Sequence, residues 1–374
     1  MVMTAVAARA RRTAPALVVT AVALVAVSWA ILTIAPTLTV PEDLFVDFRI
    51  NVWEPGRLLL EGESPLQVAT DEGTVYPPIA VVLTLPFALL PYAVSSLLWL
   101  VTLVGCVVGA LRLCGVRDRR CVALALASPP VIAGLGYGNL SLVLVLALAG
   151  VWAWRDDQMR GGTLLGLAIA SKLFLFPLVV WMLFTRRSRG AASAVVATAL
   201  ASLVGWAVVA FQRMDEFPGL TRRNAAEFLD QGVSFSSVAA NLGASAGLAA
   251  TLAALAAAGA LAAAWRLRND DLASFTWAVV AALLFSPIVW GHYYALLLVP
   301  LALSAPTLSR AWLLPYVTIP TLTAAPPGGA KVLDAATGVV FTLLTARQCG
   351  GLRPFPRRDE PESVGSRLVG DLPI

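Results

Sequence analysis

The chain has 374 residues, of which 59% are apolar and 13% charged, and its mean hydropathy is +0.80. An ordinary soluble domain carries about 25% charged and about 45–50% apolar residues, so this composition excludes a soluble globular enzyme, a disordered tail protein and a nucleic-acid binder, and describes a polytopic membrane protein. The +5 formal charge, from 27 basic against 22 acidic residues, points in so apolar a chain to cytoplasmic loops facing anionic lipid.

A helix needs about 20 apolar residues to cross the hydrocarbon core, and arginines mark cytoplasmic flanks. Arg9, Arg11 and Arg12 precede an apolar run from Ala14 to Pro36, so the first helix leads outward. Ser28-Trp29-Ala30 weakly resembles a signal cleavage site, but the run continues apolar beyond it. The polar stretch Thr37 to Gly73 then lies outside. Within it Phe48, Val52, Leu59 and Leu60 fall near one helical face, which predicts a juxtamembrane helix over 48–60. From Tyr76 to Leu111 the chain makes one net crossing. Pro77, Pro78, Pro86 and Pro91 divide it into a tilted or partly re-entrant piece and a span near 93–111.

The segment 121–136 leads outward and 140–154 returns, with Tyr137-Gly138-Asn139 at the outer turn. Arg155 and Arg160 precede Gly162–Phe184, and Arg186, Arg187 and Arg189 follow it. One straight span would leave one of these clusters outside, so the charge rule predicts two short broken helices meeting near Lys172 and Pro177. The segment 191–211 leads out to a polar loop over 212–241, and 242–264 returns to Arg266 and Arg268. Four further crossings fall near 272–291, 293–309, 311–326 and 331–346. The four cysteines, Cys106, Cys114, Cys121 and Cys349, lack CxxC spacing and read as free, partly buried thiols. The expected architecture is an all-α bundle of about 12 transmembrane helices over 14–347, with extracytoplasmic loops at about 37–75 and 212–241. A cytoplasmic segment 1–13 precedes it, and a polar, disordered cytoplasmic tail 348–374 follows. No fixed-period repeat or inverted halves are visible, which weakens a transporter reading.

This topology, drawn from arginines alone, puts Asp47, Asn139, Lys172, the 212–241 loop and His292 on one, extracytoplasmic, side. Asp47 is flanked by Phe45, Val46 and Phe48. Partial burial there would raise its pKa and make it a better base toward a hydroxyl; the alternative is a solvated loop acid paired with Arg49. His292 is the sole histidine. It can donate to a phosphate or shuttle a proton, or simply share an aromatic belt with Trp290, Tyr293 and Tyr294. Lys172 lies in an apolar stretch where a lysine costs roughly 2.5–3.5 kcal/mol to insert. It either faces a polar cavity, where it could hold a lipid phosphate, or snorkels to the headgroups. Asn139, Asn224 and Asn241 could orient a sugar or cap helix ends. Arg49, Asn139, Arg222, Glu227 and Trp290 are further candidates for substrate contact. No Gly-rich phosphate loop, metal-spaced His/Cys cluster or nucleophile elbow occurs, so no ATP, nucleotide-sugar or metal site is expected.

Three motifs in order carry a resemblance: Asp47-Phe48 after the first span, Tyr76-Pro77-Pro78 at a helix start, and Ser286-Pro287-Ile288-Val289-Trp290-Gly291-His292. Together they resemble the polyprenyl-phosphate-mannose-dependent mannosyltransferases, glycosyltransferase family 87 of the GT-C fold. The resemblance runs from about Ala14 to Arg347 and takes in Gly162–Leu173, which matches the family's small-residue helix ending in a lysine. This chain has Ile50-Asn51-Val52 where the family has a tyrosine, Gly138-Asn139 for Gly-Gln, and Tyr293 for a second histidine. The family's Asn-Gln-Ser in the late outer loop has no clear match near Ser234-Phe235-Ser236-Ser237.

The resemblance implies inverting transfer of a mannosyl residue from a polyprenyl-phosphate donor to a glycolipid or cell-envelope glycan at the outer face of the plasma membrane. Asp47 would be the general base, with Lys172, His292 and Tyr76 at the donor phosphate and no cofactor or metal required. Rival readings are a polyprenyl-phosphate-pentose (arabinosyl) transferase of the same fold, a transporter or flippase of lipid-linked sugars, and a non-catalytic scaffold.

Overall fold

A computed structural model describes residues 44–66, 76–318 and 329–350. The predicted first span, the segment 1–13 and all but the start of the tail 348–374 lie outside the described residues, as do 37–43, 67–75 and 319–328. Every regular element among the described residues is helical. In chain order they are α1 (Val46–Phe48), α2 (Glu54–Leu60), α3 (Pro78–Ala88), α4 (Tyr92–Leu113), α5 (Arg119–Leu126), α6 (Pro129–Tyr137), α7 (Ser141–Ala153) and α8 (Gln158–Ser171). There follow α9 (Pro177–Phe184), α10 (Ser188–Val208), α11 (Phe217–Glu227), α12 (Phe235–Asn241), α13 (Ala246–Arg266), α14 (Asp271–Phe285), α15 (Leu298–Ser304) and α16 (Gly329–Gly350). Short 3₁₀ segments lie at Leu173–Leu175, Gly291–Leu297 and Arg310–Val317.

Helices α4, α10 and α13 are each long and apolar enough to cross a membrane, and α5 with α6 passes as a fourth span bent by 58°. The bend was not expected. Pro129 and Pro130 follow Ser128 and cannot continue the hydrogen-bond ladder of α5, so α6 restarts with proline at its head. Apolar helices of 10–17 residues include α7 and α14, which fall on the segments 140–154 and 272–291, and α3, which falls on the piece between Pro77 and Pro91. The four cysteines are free and buried.

The predicted helix over 48–60 forms, with a modification. Between α1 and α2 the chain makes a π turn, Arg49–Trp53, in which the Glu54 N–H bonds to Arg49 O. The extra residue rotates everything downstream. Phe48 and Val52 are buried as the periodicity requires, but Pro55 and Gly56 then take the inner face and Leu60 is exposed. Phe48 is locked into an aromatic cluster, stacked on Trp99 at 5.4 Å and on Tyr92 at 6.2 Å, with Phe87 edge-on. Burying such a ring stabilises by roughly 1.5–3 kcal/mol, and here it fixes α1, and therefore Asp47, against α4.

The chain breaks where the arginines predicted, at Lys172, whose backbone is extended between α8 and the 3₁₀ turn before α9. Helices α8 and α10 run parallel. Gly162 and Gly166 abut the backbone of Gly190 and Ala194, Thr163 Oγ1 lies 2.9 Å from Ser193 Oγ, and Thr198 Oγ1 donates to Gly166 O at 3.1 Å. Small residues let the two backbones approach in this way. Because α9 runs back along α10, the Arg155 and Arg187 ends meet. Arg187 reaches Asp156 at 3.2 Å and Asp271 at 2.7 Å, and Arg155 reaches Asp271 at 3.3 Å.

Candidate functional site

At the opposite end of α8 the polar side chains converge. Their platform is the turn between α6 and α7. Gly138 has φ +68°, and a Cβ there would strike Phe45 Cδ1 and Phe48 Cβ, each 2.8 Å away. Only glycine permits both the left-handed backbone and this close approach. The turn is pinned from two sides, by Trp99 Nε1 donating to Gly138 O at 2.7 Å and by Phe45 N donating to Gly136 O at 2.8 Å. Phe45 itself has φ 58°, so the chain entering α1 is bent onto the Gly138 turn, carrying Asp47 with it.

Asn139 sits at the centre. Its Nδ2 donates to Asp47 Oδ2 at 2.6 Å. Its Oδ1 accepts from Ser141 N at 2.8 Å, Ser141 Oγ at 2.7 Å and Lys172 Nζ at 3.2 Å. Lys172 also donates to Ser141 Oγ at 3.0 Å. Its ammonium lies 3.9 Å from the ring centre of Tyr293 and 5.1 Å from that of Tyr76, two cation–π contacts that help offset the cost of burying the charge. Lys172 is 7% exposed, so its ammonium stays within this cluster and does not snorkel. Asp47 is half-buried. Desolvation raises its carboxyl above the usual carboxylate range, against the opposing pull of the Asn139 amide and the Lys172 charge.

His292, at the start of the 3₁₀ turn 291–297, is 1% exposed, its ring 5.0 Å from that of Tyr293 and 6.0 Å from that of Tyr137. Neither of its nitrogens has a hydrogen-bond partner among the described residues. A buried imidazole without hydrogen-bond partners is costly, which makes His292 a candidate for ligand contact. The backbone before it is tied to the outer loop: Val233 N donates to Val289 O at 2.7 Å and Ser234 Oγ to Pro287 O at 3.0 Å.

Asp47, Tyr76, Asn139, Lys172 and His292, all singled out in the sequence, therefore share one cluster. The weaker candidates separate. Arg49 pairs with Glu54 at 3.8 Å and not with Asp47, which removes the reading of Asp47 as an Arg49-paired loop acid. Arg222 donates to Pro218 O within its own helix, and Glu227 is exposed on α11. Trp290 stacks edge-on against Phe228 at 5.7 Å, joining the loop to the His292 strand of chain.

Sequence reasoning missed Ser141 and misassigned Tyr293 to an aromatic belt. Ser141 stands two residues past Asn139, the spacing of a side chain closing its own turn, which was the available signal. Asn51, one turn beyond Asp47, is also buried with an unpartnered Oδ1.

The profile of glycosyltransferase family 87 matches residues 74–287, a span that holds Tyr76, Asn139, Ser141 and Lys172. The chain is 30% identical over 322 residues to the polyprenol-phosphate-mannose-dependent alpha-(1-2)-phosphatidylinositol pentamannoside mannosyltransferase of Mycolicibacterium smegmatis, covering 78% of this chain and 75% of that relative. It is 29% identical over 247 residues to the protein of the same description from Mycobacterium tuberculosis, covering 60% and 56%. No solved structure matches. With apolar membrane-length helices and a family profile covering more than half its length, the chain is a membrane glycosyltransferase and belongs to glycosyltransferase family 87.

Proposed function

We propose that this chain transfers a mannosyl residue, with inversion, from a polyprenyl-phosphate-linked donor to a glycolipid or envelope glycan at the extracytoplasmic face of the plasma membrane. The bundle is read as GT-C-like, with about 12 crossings, both termini cytoplasmic and the Asp47 end outside. Asp47 removes the proton from an acceptor hydroxyl as that oxygen bonds to the anomeric carbon. The bond from that carbon to the phosphate oxygen breaks, and its electron pair leaves on polyprenyl phosphate. The acid so formed at Asp47 returns its proton to solvent.

The leaving phosphate gathers negative charge, and a site gains rate by holding preorganised donors where that charge develops. The Lys172 ammonium supplies a fixed positive charge, and His292 supplies an N–H that is not committed elsewhere. Tyr76 closes the same pocket beside Lys172. The relatives' names supply the donor class and a phosphatidylinositol mannoside as an acceptor to test. One observation carries the reading: a half-buried carboxylate lies within one amide of a buried ammonium, beside a buried histidine with no hydrogen-bond partner among the described residues.

The test is to incubate the purified protein with synthetic polyprenyl-phosphate-mannose and phosphatidylinositol mannoside, and to analyse lipids by mass spectrometry. The expected products are the acceptor enlarged by one hexose and free polyprenyl phosphate. No transfer by folded protein, or transfer only from a polyprenyl-phosphate-pentose offered in parallel, overturns the mannosyl assignment.

A further inference from the structure

We propose that Asn139 is the positioning residue for the base: Lys172 and Ser141 lock its amide in one orientation, and the locked amide aims Asp47. This rests on the reading of Asp47 as the base and adds how that base is held.

An asparagine side chain offers an acceptor on one side and donors on the other, and its neighbours decide which way it faces. Here Oδ1 meets a backbone N–H, a hydroxyl and an ammonium, from Ser141 N, Ser141 Oγ and Lys172 Nζ. Turning the amide over would set its NH₂ against the Ser141 N–H and the Lys172 ammonium, neither of which can accept. The orientation is therefore imposed by chemistry, and Nδ2 must point at Asp47 Oδ2. A carbonyl oxygen receiving three donors, one of them cationic, also polarises its own amide and strengthens Nδ2 as a donor. Ser141 completes the circuit, since its hydroxyl accepts from Lys172 and donates to Asn139. The bond at Oδ2 fixes the carboxylate plane and leaves Oδ1 to receive the acceptor's proton. The positive charge of Lys172 thus acts on the base through one amide, while the ammonium stays beside the rings of Tyr76 and Tyr293.

The experiment compares the pH dependence of kcat/KM for the full-length wild type, Asn139→Ala and Asn139→Asp, in the same detergent, with synthetic polyprenyl-phosphate-mannose and phosphatidylinositol mannoside. The acidic limb reports deprotonation of the base. In the wild type it lies above the ordinary aspartate value of about 3.9, because burial outweighs its partners. Loss of a hydrogen bond to the charged carboxylate moves the limb upward by about one to two pH units in Asn139→Ala. Asn139→Asp is nearly isosteric and still accepts from Ser141 and Lys172, but sets a second carboxylate against Asp47, so its limb moves further. The donor KM stays within about twofold in Asn139→Ala, which leaves Lys172 its charge, whereas the carboxylate of Asn139→Asp also pairs with the Lys172 ammonium and raises donor KM.

The ionisable groups facing Asp47 from other elements are Lys172, Tyr76 and Tyr293. His292 neighbours Lys172, and Arg49 on the same helical segment pairs with Glu54. An unmoved acidic limb in variants that melt like wild type overturns the proposal, as does a change confined to the basic limb or to donor KM. Absence of transfer by the wild type is a different failure, that of the parent reading, and the proposal falls with it.

Discussion

The two ends of α8 contain similar charged groups and treat them in opposite ways. At the Arg155 end, Asp271 receives both nitrogens of the Arg187 fork, at 2.8 and 2.7 Å, and Arg155 besides, while Arg187 also reaches Asp156. Every charge has an opposite partner in contact, so this cluster has little left to offer a ligand. At the Asp47 end the carboxylate and the ammonium do not form a contact pair; an asparagine lies between them, and the nearby imidazole has no hydrogen bond among the described residues. Saturated ion pairs, bidentate ones above all, fix geometry. Buried polar groups with unused hydrogen-bonding capacity are costly to keep, which makes this end the candidate site.

The contrast can be broken by exchanging what each end loses on mutation. The largest effect falls on Asp47→Asn, which lowers kcat by about 10²–10⁴-fold, the usual worth of a general base, measured as hexose transfer to phosphatidylinositol mannoside. His292→Phe follows, with a loss of about 10²–10³-fold in turnover, the range for removing one charge-stabilising donor. A ring still fills the space against Tyr137 and Tyr293, so melting temperature stays unchanged or rises, because the imidazole has no hydrogen bond among the described residues to lose. Arg187→Ala reverses the pattern. It costs about 1–3 kcal/mol of stability, held to that range because Asp271 is more than a third exposed, and reads as a lower melting temperature with kcat within about threefold. The smallest effect belongs to Glu227→Ala on exposed α11, within about ±0.5 kcal/mol in stability and about twofold in transfer rate. If Arg187→Ala abolished catalysis without unfolding, or His292→Phe unfolded the protein, the division between the two ends would be wrong.

Arginine placement made the break at Lys172 legible, because two like-charged flanks cannot lie on opposite sides of one span under the positive-inside rule. It also foretold that the Arg155 and Arg187 ends sit together. Asp47, Tyr76, Asn139, Lys172 and His292 stood out as polar groups in apolar surroundings, and that chemistry is visible residue by residue. Local geometry was not. The π turn at Arg49–Trp53 adds a residue to one turn, which no hydrophobic period announces, so Leu60 was assigned to the wrong face. The partners of Lys172 and Asn139 were hidden for a different reason. Ser141 and Tyr293 are ordinary residues whose role appears only when the Gly138 turn and the 3₁₀ segment at 291–297 are brought together in space. Arg222 and Glu227 drew attention as charges in a polar loop, and both stand exposed on α11, outside the Asp47 cluster.

The most direct test of the account is a single-turnover experiment on Asp47→Asn protein presaturated with polyprenyl-phosphate-mannose. The amide keeps the size of the carboxylate, so donor affinity should match wild type within about twofold, while transfer to added phosphatidylinositol mannoside falls by at least about 100-fold. Transfer at close to the wild-type rate from the bound donor would contradict it, and would show that the carboxylate at position 47 takes no part in the chemistry.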